Sequence, residues 1–212
     1  MCGTTLVCGD LSDPPAAPDV VRVPARPGKK HVDEVLQRSK RVIVVGDDAD
    51  LAAVVVRMLR REVLSSVAVG YVPASAESAV AALWGLPHDP AEALRIATYG
   101  EPRPMTLVRD DTGGVLLGRG LVEAVDGEAY CDDVLALRGA ARRIEVRPDP
   151  AGVAVRVTHG RLLRKTATFR GRAFQYGGRV PVHPVTDGVR RDRPLRRWTV
   201  YRHTEDLLAV RP

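Results

Sequence analysis

The sequence predicts an α/β front half built on a doubly wound parallel sheet, followed by a mostly antiparallel β back half. Three observations predict it. Up to about residue 105, apolar strand-like runs alternate with helical patterns, as in a parallel sheet with helical crossovers. Beyond that point the apolar residues recur with period two between turn residues, which marks antiparallel β-structure. The charge also divides. From Arg138 to the end, 18 Arg and Lys stand against 6 Asp and Glu, a net +12, whereas the first 137 residues hold 14 against 20, a net −6. The expected domains are therefore 1–105 and 106–212, the second one basic.

The elements follow in order. TTLVCGD reads as a first strand closed by Gly9-Asp10, and LSDPPAAPD as a proline-rich loop. DVVRVPAR reads as an edge strand, and HVDEVLQRS has helical spacing at Val32, Val35 and Leu36. KRVIVVG is a β-branched run of the kind buried on both faces, and it breaks at Gly46. DDADLAAVVVRMLRREV continues as a helix, with Asp47 or Asp48 as N-cap and Arg57, Arg60 and Arg61 near its C-terminal end. SSVAVGYVP is the next strand. ASAESAVAALWGLP is a helix stopping at Gly85, and HDPAEALRIATYG a helix with Asp89 as N-cap, Pro90 at its first position and Gly100 as its stop. RPMTLVRDDTGGVLLGRGLVEAV is a hairpin signature around Asp110–Gly114. From Arg142 the period is two, with turns at Asp149–Gly152 and His159-Gly160, and RRWTVYRHTEDLLAVRP closes the chain as two strands.

Composition bounds the class. In 212 residues, 45% are hydrophobic but only 4% aromatic, so the core has to be made of Val, Leu and Ala. Arg far outnumbers Lys, and Ala, Gly and Pro are abundant, the usage of a GC-rich coding sequence, which dilutes the meaning of any single Arg. No apolar run reaches the roughly 20 residues of a membrane span, and the N-terminus lacks the pattern of a signal peptide. A soluble, cytoplasmic protein is expected, peripheral to a membrane if its basic half meets one. Cys2, Cys8 and Cys131 are too few and too irregular for a disulfide framework or a zinc site, and read as reduced structural thiols. None of His31, His88, His159, His183 and His203 pairs with another at metal-ligand spacing, and there is no GxSxG elbow.

Two segments carry chemistry. At Gly46-Asp47-Asp48-Ala49-Asp50 a strand turns into a helix, a junction where backbone N–H groups and the helix dipole favour an anion. Three carboxylates there repel bare phosphate unless Mg²⁺ intervenes, and neither GxGxxG nor a Walker A lysine is present. The plain alternative is an acidic N-cap. The second segment is Arg190, Arg191, Arg193, Arg196 and Arg197, within eight residues. Such a cluster attracts nucleic acid or an anionic membrane surface. Sparse aromatics argue against nucleic acid.

The order of these signals resembles the diacylglycerol kinase catalytic-domain family of lipid kinases, relatives of the NAD and sphingosine kinases. VIVVGDDADL sits where that family has its strand and GGDGT loop. AVGYVPASAESAVAALWGLPHDPAEALRIATYG resembles its Pro-Leu-Gly-Thr-Gly/Ala-Asn-Asp stretch, helix and "LGLP" segment. VTDGV resembles the closing DGE motif, and the likeness covers about Lys40 to Pro212. It implies a nucleotide-binding α/β front domain, a β-sandwich back domain, ATP and Mg²⁺ as cofactors, and phosphoryl transfer to a lipid hydroxyl. By it, Gly46, Asp47, Asp48, Ala49, Asp50, Ser75 and Ser78 line the nucleotide site, and Asp48 is the Mg²⁺-linked acid.

The departures are specific. Asp47 and Ala49 replace glycines, Asp50 replaces Thr, Ser75 and Ala76 stand for Gly-Thr, and Ser78 and Ala79 for Asn-Asp. Asp187 and Gly188 match, but Val189 occupies the place of the acid that the resemblance makes the general base. Losing a positioned base costs about 10²–10⁴-fold. The expectation is a lipid-kinase-like protein with impaired catalysis; the alternative is a non-catalytic module that binds a nucleotide or an anionic membrane.

Overall fold

The computed structural model describes residues 3–160 and 165–212. Cys2 and residues 161–164 of the expected back-half strands lie outside the described residues. The elements in chain order are β1 (Thr4–Cys8), β2 (Val20–Val23), α1 (Lys29–Arg38), β3 (Arg41–Gly46), α2 (Asp48–Arg60), β4 (Ala68–Pro73), α3 (Ala79–Trp84), α4 (Pro90–Tyr99), β5 (Pro102–Met105), β6 (Val108–Asp110) and β7 (Val115–Leu116). Then follow β8 (Gly120–Cys131), β9 (Val134–Asp149), β10 (Gly152–His159), β11 (Lys165–Gly171), β12 (Ala173–Val182), β13 (Val185–Thr186), β14 (Val189–Arg190), β15 (Leu195–Arg202) and β16 (Leu207–Val210). They form two compact units, Met1–Met105 with Glu205–Pro212, and Thr106–Thr204.

The first unit is a six-stranded sheet in the order β2-β1-β3-β4-β16-β5. All neighbours run parallel except β5, which is antiparallel to β16. β1, β3 and β4 are buried almost throughout, which is why they read as continuous apolar runs rather than alternating ones. Val7, Ile43, Val45 and Val72 pack with Ala93, Leu94 and Ala97 of α4. Gly70 on β4 permits that approach, since a Cβ there would lie 2.7 Å from the Ala97 Cβ. The even positions Val42 and Val44 point to the opposite face.

Helices α1 and α2 are joined by a two-pronged ion pair. Arg57 donates from Nε to Asp33 Oδ1 and from Nη2 to Asp33 Oδ2, both at 2.8 Å. Each side chain is only 12% exposed. The Arg57 hydrogen bonds hold the Asp33 carboxyl below its ordinary value. A carboxyl depressed in the fold contributes stability that is present above its unfolded pKa and lost as pH falls through the folded value. Asp33→Asn is therefore expected to cost about 2 kcal/mol at pH 7, and the difference from wild type to shrink on acidification below about pH 4. Urea melts across that range measure it.

The second unit is one continuous antiparallel sheet in the order β11-β10-β9-β8-β12-β15-β6-β7, with β13 pairing β8 and β14. It bends over so that β10 meets β12 and β15, giving the two layers of a sandwich from a single sheet. Between the layers lie Val122, Ile144, Val146, Val155, Val157, Phe174, Tyr176 and Trp198. The rings of Phe174 and Trp198 meet edge-on, with centroids 6.0 Å apart at 76°.

Two expectations are corrected. The β-rich unit does not run to 212, because Leu207–Val210 cross back and add β16 between β4 and β5. An apolar strand carries no local mark of the sheet it joins. The sequence reading also left 126–141 without strands, whereas β8 and β9 form one long hairpin through it. Its turn is Asp132-Asp133, and Asp132 takes φ 51° and accepts hydrogen bonds from the Arg172 and Ala173 N–H groups. Both cysteines described are buried and unbridged. Burial pushes the Cys8 thiol up to about 12 and the Cys131 thiol up to about 11. Iodoacetamide at pH 8 is expected to leave both intact in the native protein and to modify them after unfolding, as mass spectrometry would report.

Candidate functional site

β3 delivers the chain to Gly46 at its C-terminal end, and α2 starts immediately beyond. Gly46 is required there, because a Cβ would lie 2.8 Å from the Asp50 Cβ. Asp47 is the N-cap of α2 and forms a reciprocal box with Asp50. The Asp50 N–H donates to Asp47 Oδ1 at 2.8 Å, and the Asp47 N–H donates to Asp50 Oδ2 at 2.9 Å. Asp50 is 4% exposed and also accepts the Arg26 N–H at 2.6 Å, tying in the loop after β2. Burial raises the Asp50 carboxyl above its ordinary value, and the Asp47 charge adds to this, against the two backbone donors. The sign is opposite to that of Asp33: the stabilising contribution is full below the unfolded pKa and lost as pH rises through the folded value.

Asp48 points the other way, to the turn after β4. Its Oδ1 accepts the Tyr71 hydroxyl at 3.0 Å and a short bond from the Ser78 hydroxyl. Its Oδ2 accepts the Ala79 N–H at 2.8 Å and the Val80 N–H at 3.3 Å. Ser78 is the N-cap of α3 and accepts the Ala81 N–H at 2.9 Å. Tyr71 also reaches the Gly46 carbonyl at 3.2 Å. Burial, reinforced by the Asp48 charge, raises the Tyr71 phenol well above its usual range, so it stays a donor.

The structure thus brings Gly46, Asp47, Asp48, Ala49, Asp50 and Ser78 together. Ser75 is exposed on the intervening turn, where its hydroxyl accepts the Glu77 N–H at 3.1 Å. Tyr71 is the member that the sequence reading missed. Its signal was there to use: a tyrosine in a buried apolar strand needs a partner for its hydroxyl.

The helix starts at this loop are partly served by the protein itself. The Asp47–Asp50 box satisfies two of the first N–H groups of α2, and Asp48 with Ser78 satisfies the first three of α3. An ionised carboxylate has about four lone-pair positions, and Asp48 receives four donors. No position is left for Mg²⁺ unless a donor is displaced, so the Mg²⁺ that the resemblance places on Asp48 does not fit this arrangement.

In the second unit, Asp187 is 2% exposed and takes φ 47°. Its carboxylate accepts the N–H groups of Leu117, Gly118 and Arg119 at 2.8, 2.8 and 3.0 Å. Val189 lies next to it in β14, opposite Thr186. Of the arginine cluster, Arg190, Arg193, Arg196 and Arg197 are exposed. Arg191 differs, since its guanidinium lies 3.6 Å from Asp110 and donates to Thr112.

No family model matches the sequence, and no curated protein matches it significantly. Solved structures do. A crystal structure of a diacylglycerol kinase from Bacillus anthracis str. Sterne aligns over 99% of this chain and 97% of its own, with TM-score 0.74 and 12% identity. The NAD kinase from Archaeoglobus fulgidus, solved in complex with ATP, aligns over 98% of this chain and 93% of its own, with TM-score 0.57 and 11% identity. The chain has the diacylglycerol kinase and NAD kinase fold. In that fold the loop from Gly46 to Asp50 lies at the C-terminal end of a parallel strand, the end at which open α/β sheets present ligand sites. No helix among the described residues is long and apolar enough to cross a membrane.

Proposed function

We propose that this chain is a catalytically silent protein of the lipid-kinase fold, whose nucleotide loop has become an internal structural clamp. The observation that carries the reading is Asp48, whose four acceptor positions are filled by Tyr71, Ser78, Ala79 and Val80. Val189, unable to take a proton, supports it from the second unit. Phosphoryl transfer relies on positioning and charge neutralisation, and here the charges at the loop neutralise protein donors instead of phosphate. A shared fold does not carry the chemistry with it.

Calorimetry with Mg-ATP, together with a diacylglycerol phosphorylation assay, tests this. No saturable heat and no turnover are expected from the wild type. Asp48→Ala is expected to lose roughly 2 kcal/mol of stability and to change no activity. The four bonds are only partly buried, so water can reach the freed donors, and Tyr71 keeps the Gly46 carbonyl. Tight Mg-ATP binding with turnover, both lost in Asp48→Ala, would overturn the proposal in favour of an ATP-dependent lipid kinase.

The exposed Arg190, Arg193, Arg196 and Arg197 support a second role, attraction to an anionic membrane surface at about 1 kcal/mol per basic residue close to it. Co-sedimentation with phosphatidylserine vesicles at two salt concentrations decides it. Binding that falls at the higher salt and in Arg193→Gln/Arg197→Gln supports the role, and salt-independent or absent binding sinks it.

A further inference from the structure

We propose that the second unit carries a separate binding site for a terminal phosphate, a phosphomonoester dianion, on its outer sheet face. The site is a cavity of about 180 Å³ lined by Arg142, Arg143, Arg156, Thr158 and Thr166. None of these belongs to the nucleotide loop or to the arginine cluster of the last strands.

Strand register builds it. Thr158 on β10 stands opposite Arg143 on β9 and Thr166 on β11. Arg156, two residues back and so on the same face, stands opposite Glu145 and Thr168. The alternate residues Ile144, Val155 and Val157 fill the core behind. Arg143, Arg156, Thr158 and Thr166 thus share one face, and with Arg142 they line one small hollow.

Two observations point to an anion rather than to a solvated face. First, two of the three cations lack counter-charges, and the third has only a distant one. Among the described residues, the side chains of Arg142 and Arg156 make no ion pair or hydrogen bond, and Arg143 has only a 3.9 Å approach to Glu145. Glu145 is 6% exposed and is already bonded to Arg147 at 2.7 Å. Glu123 lies opposite Arg143 on β8 without forming an ion pair. Second, Thr158 is only 8% exposed, lines the cavity, and has no side-chain partner among the described residues. That hydroxyl has no protein partner to give up, so it is available to donate to a phosphate oxygen at the cavity wall.

The chemistry selects the ligand class. Guanidinium groups give charge-assisted, two-pronged hydrogen bonds to phosphate oxygens. A volume of about 180 Å³ is below the roughly 300 Å³ at which pockets for larger organic ligands begin. The hollow therefore suits a phosphate group alone, whether free in solution or at the end of a lipid headgroup. The proposal does not depend on whether the nucleotide loop is silent.

Amide NMR of the full chain, titrated with inorganic phosphate at constant ionic strength, tests the site. Saturating shifts are expected at Arg143, Arg156, Thr158 and Thr166. Arg156→Gln and Thr158→Val are expected to weaken binding about tenfold, the scale of one charge-assisted hydrogen bond. Arg95→Gln, which removes an equal charge from the first unit, should leave it unchanged, and unaltered melting temperatures confirm that the variants fold. Vesicles of phosphatidylcholine containing phosphatidic acid, compared with phosphatidylserine vesicles of matched charge, separate the sources. An Arg156-dependent preference for phosphatidic acid identifies a lipid headgroup, and phosphate binding without it identifies a soluble ligand. The site is refuted if neither probe saturates, if Arg95→Gln loses as much as Arg156→Gln, or if only duplex DNA shifts these amides.

Discussion

Replacing Asp187 by alanine is expected to destabilise the second unit by roughly 2–6 kcal/mol, because two buried N–H groups lose their acceptor at about 1–3 kcal/mol each, and the partly buried Arg119 N–H turns to water. The three donors, Leu117, Gly118 and Arg119, lie some seventy positions away in sequence. The carboxylate thus fastens the β7–β8 connection to the β13–β14 turn. Asp187 also sits at φ 47°, where aspartate and asparagine are tolerated better than alanine. Asp187→Asn keeps the backbone preference and one acceptor oxygen, so it should lose about half as much. Urea unfolding followed by fluorescence separates the units, since Trp84 belongs to the first and Trp198 to the second. A loss below about 1 kcal/mol in Asp187→Ala would show that the clamp is dispensable.

Trp198→Ala comes next, at about 3–5 kcal/mol from lost burial and the cavity left behind. Trp198 is 1% exposed, meets Phe174 edge-on, and comes so close to Gly120 that a Cβ there would lie 2.8 Å from its ring. With aromatics at only 4% of the chain, few other side chains have the volume to fill that space. Because the variant removes the reporter of its own unit, circular dichroism is the measurement, read against Phe174→Leu. Equal midpoints for wild type and Trp198→Ala would contradict this packing.

The front half was largely legible in the sequence because its signals are local. The β-branched run up to Gly46, the Asp89 cap with Pro90 and Gly100, and the Gly85 stop of α3 each lie within one element. What escaped was long-range. Asp48 reads as one more acid at the start of α2, yet its partners sit on β4 and α3, 23 to 32 positions away. The three aspartates read as a barrier to phosphate; in the fold they are the anions that occupy the helix starts. The matching residues of the closing motif, Asp187 and Gly188, hold a turn at φ 47° and 84°. The residue that departs, Val189, is the one the resemblance assigned to chemistry. Neither distinction is visible without the backbone.

The return of the last strand has a consequence for how the molecule is made. β5 ends at Met105, and its partner β16 begins only at Leu207. The whole β-rich unit is spliced between two neighbouring strands of the first sheet. On a ribosome, the first unit must wait with β4 unpaired along the edge that β16 covers, while about a hundred residues of the insert are synthesised and fold. An exposed parallel edge is a template for wrong pairing. Late in translation, therefore, the nascent chain is open to aggregation at β4, and a ribosome stalled before Leu207 would hold it there.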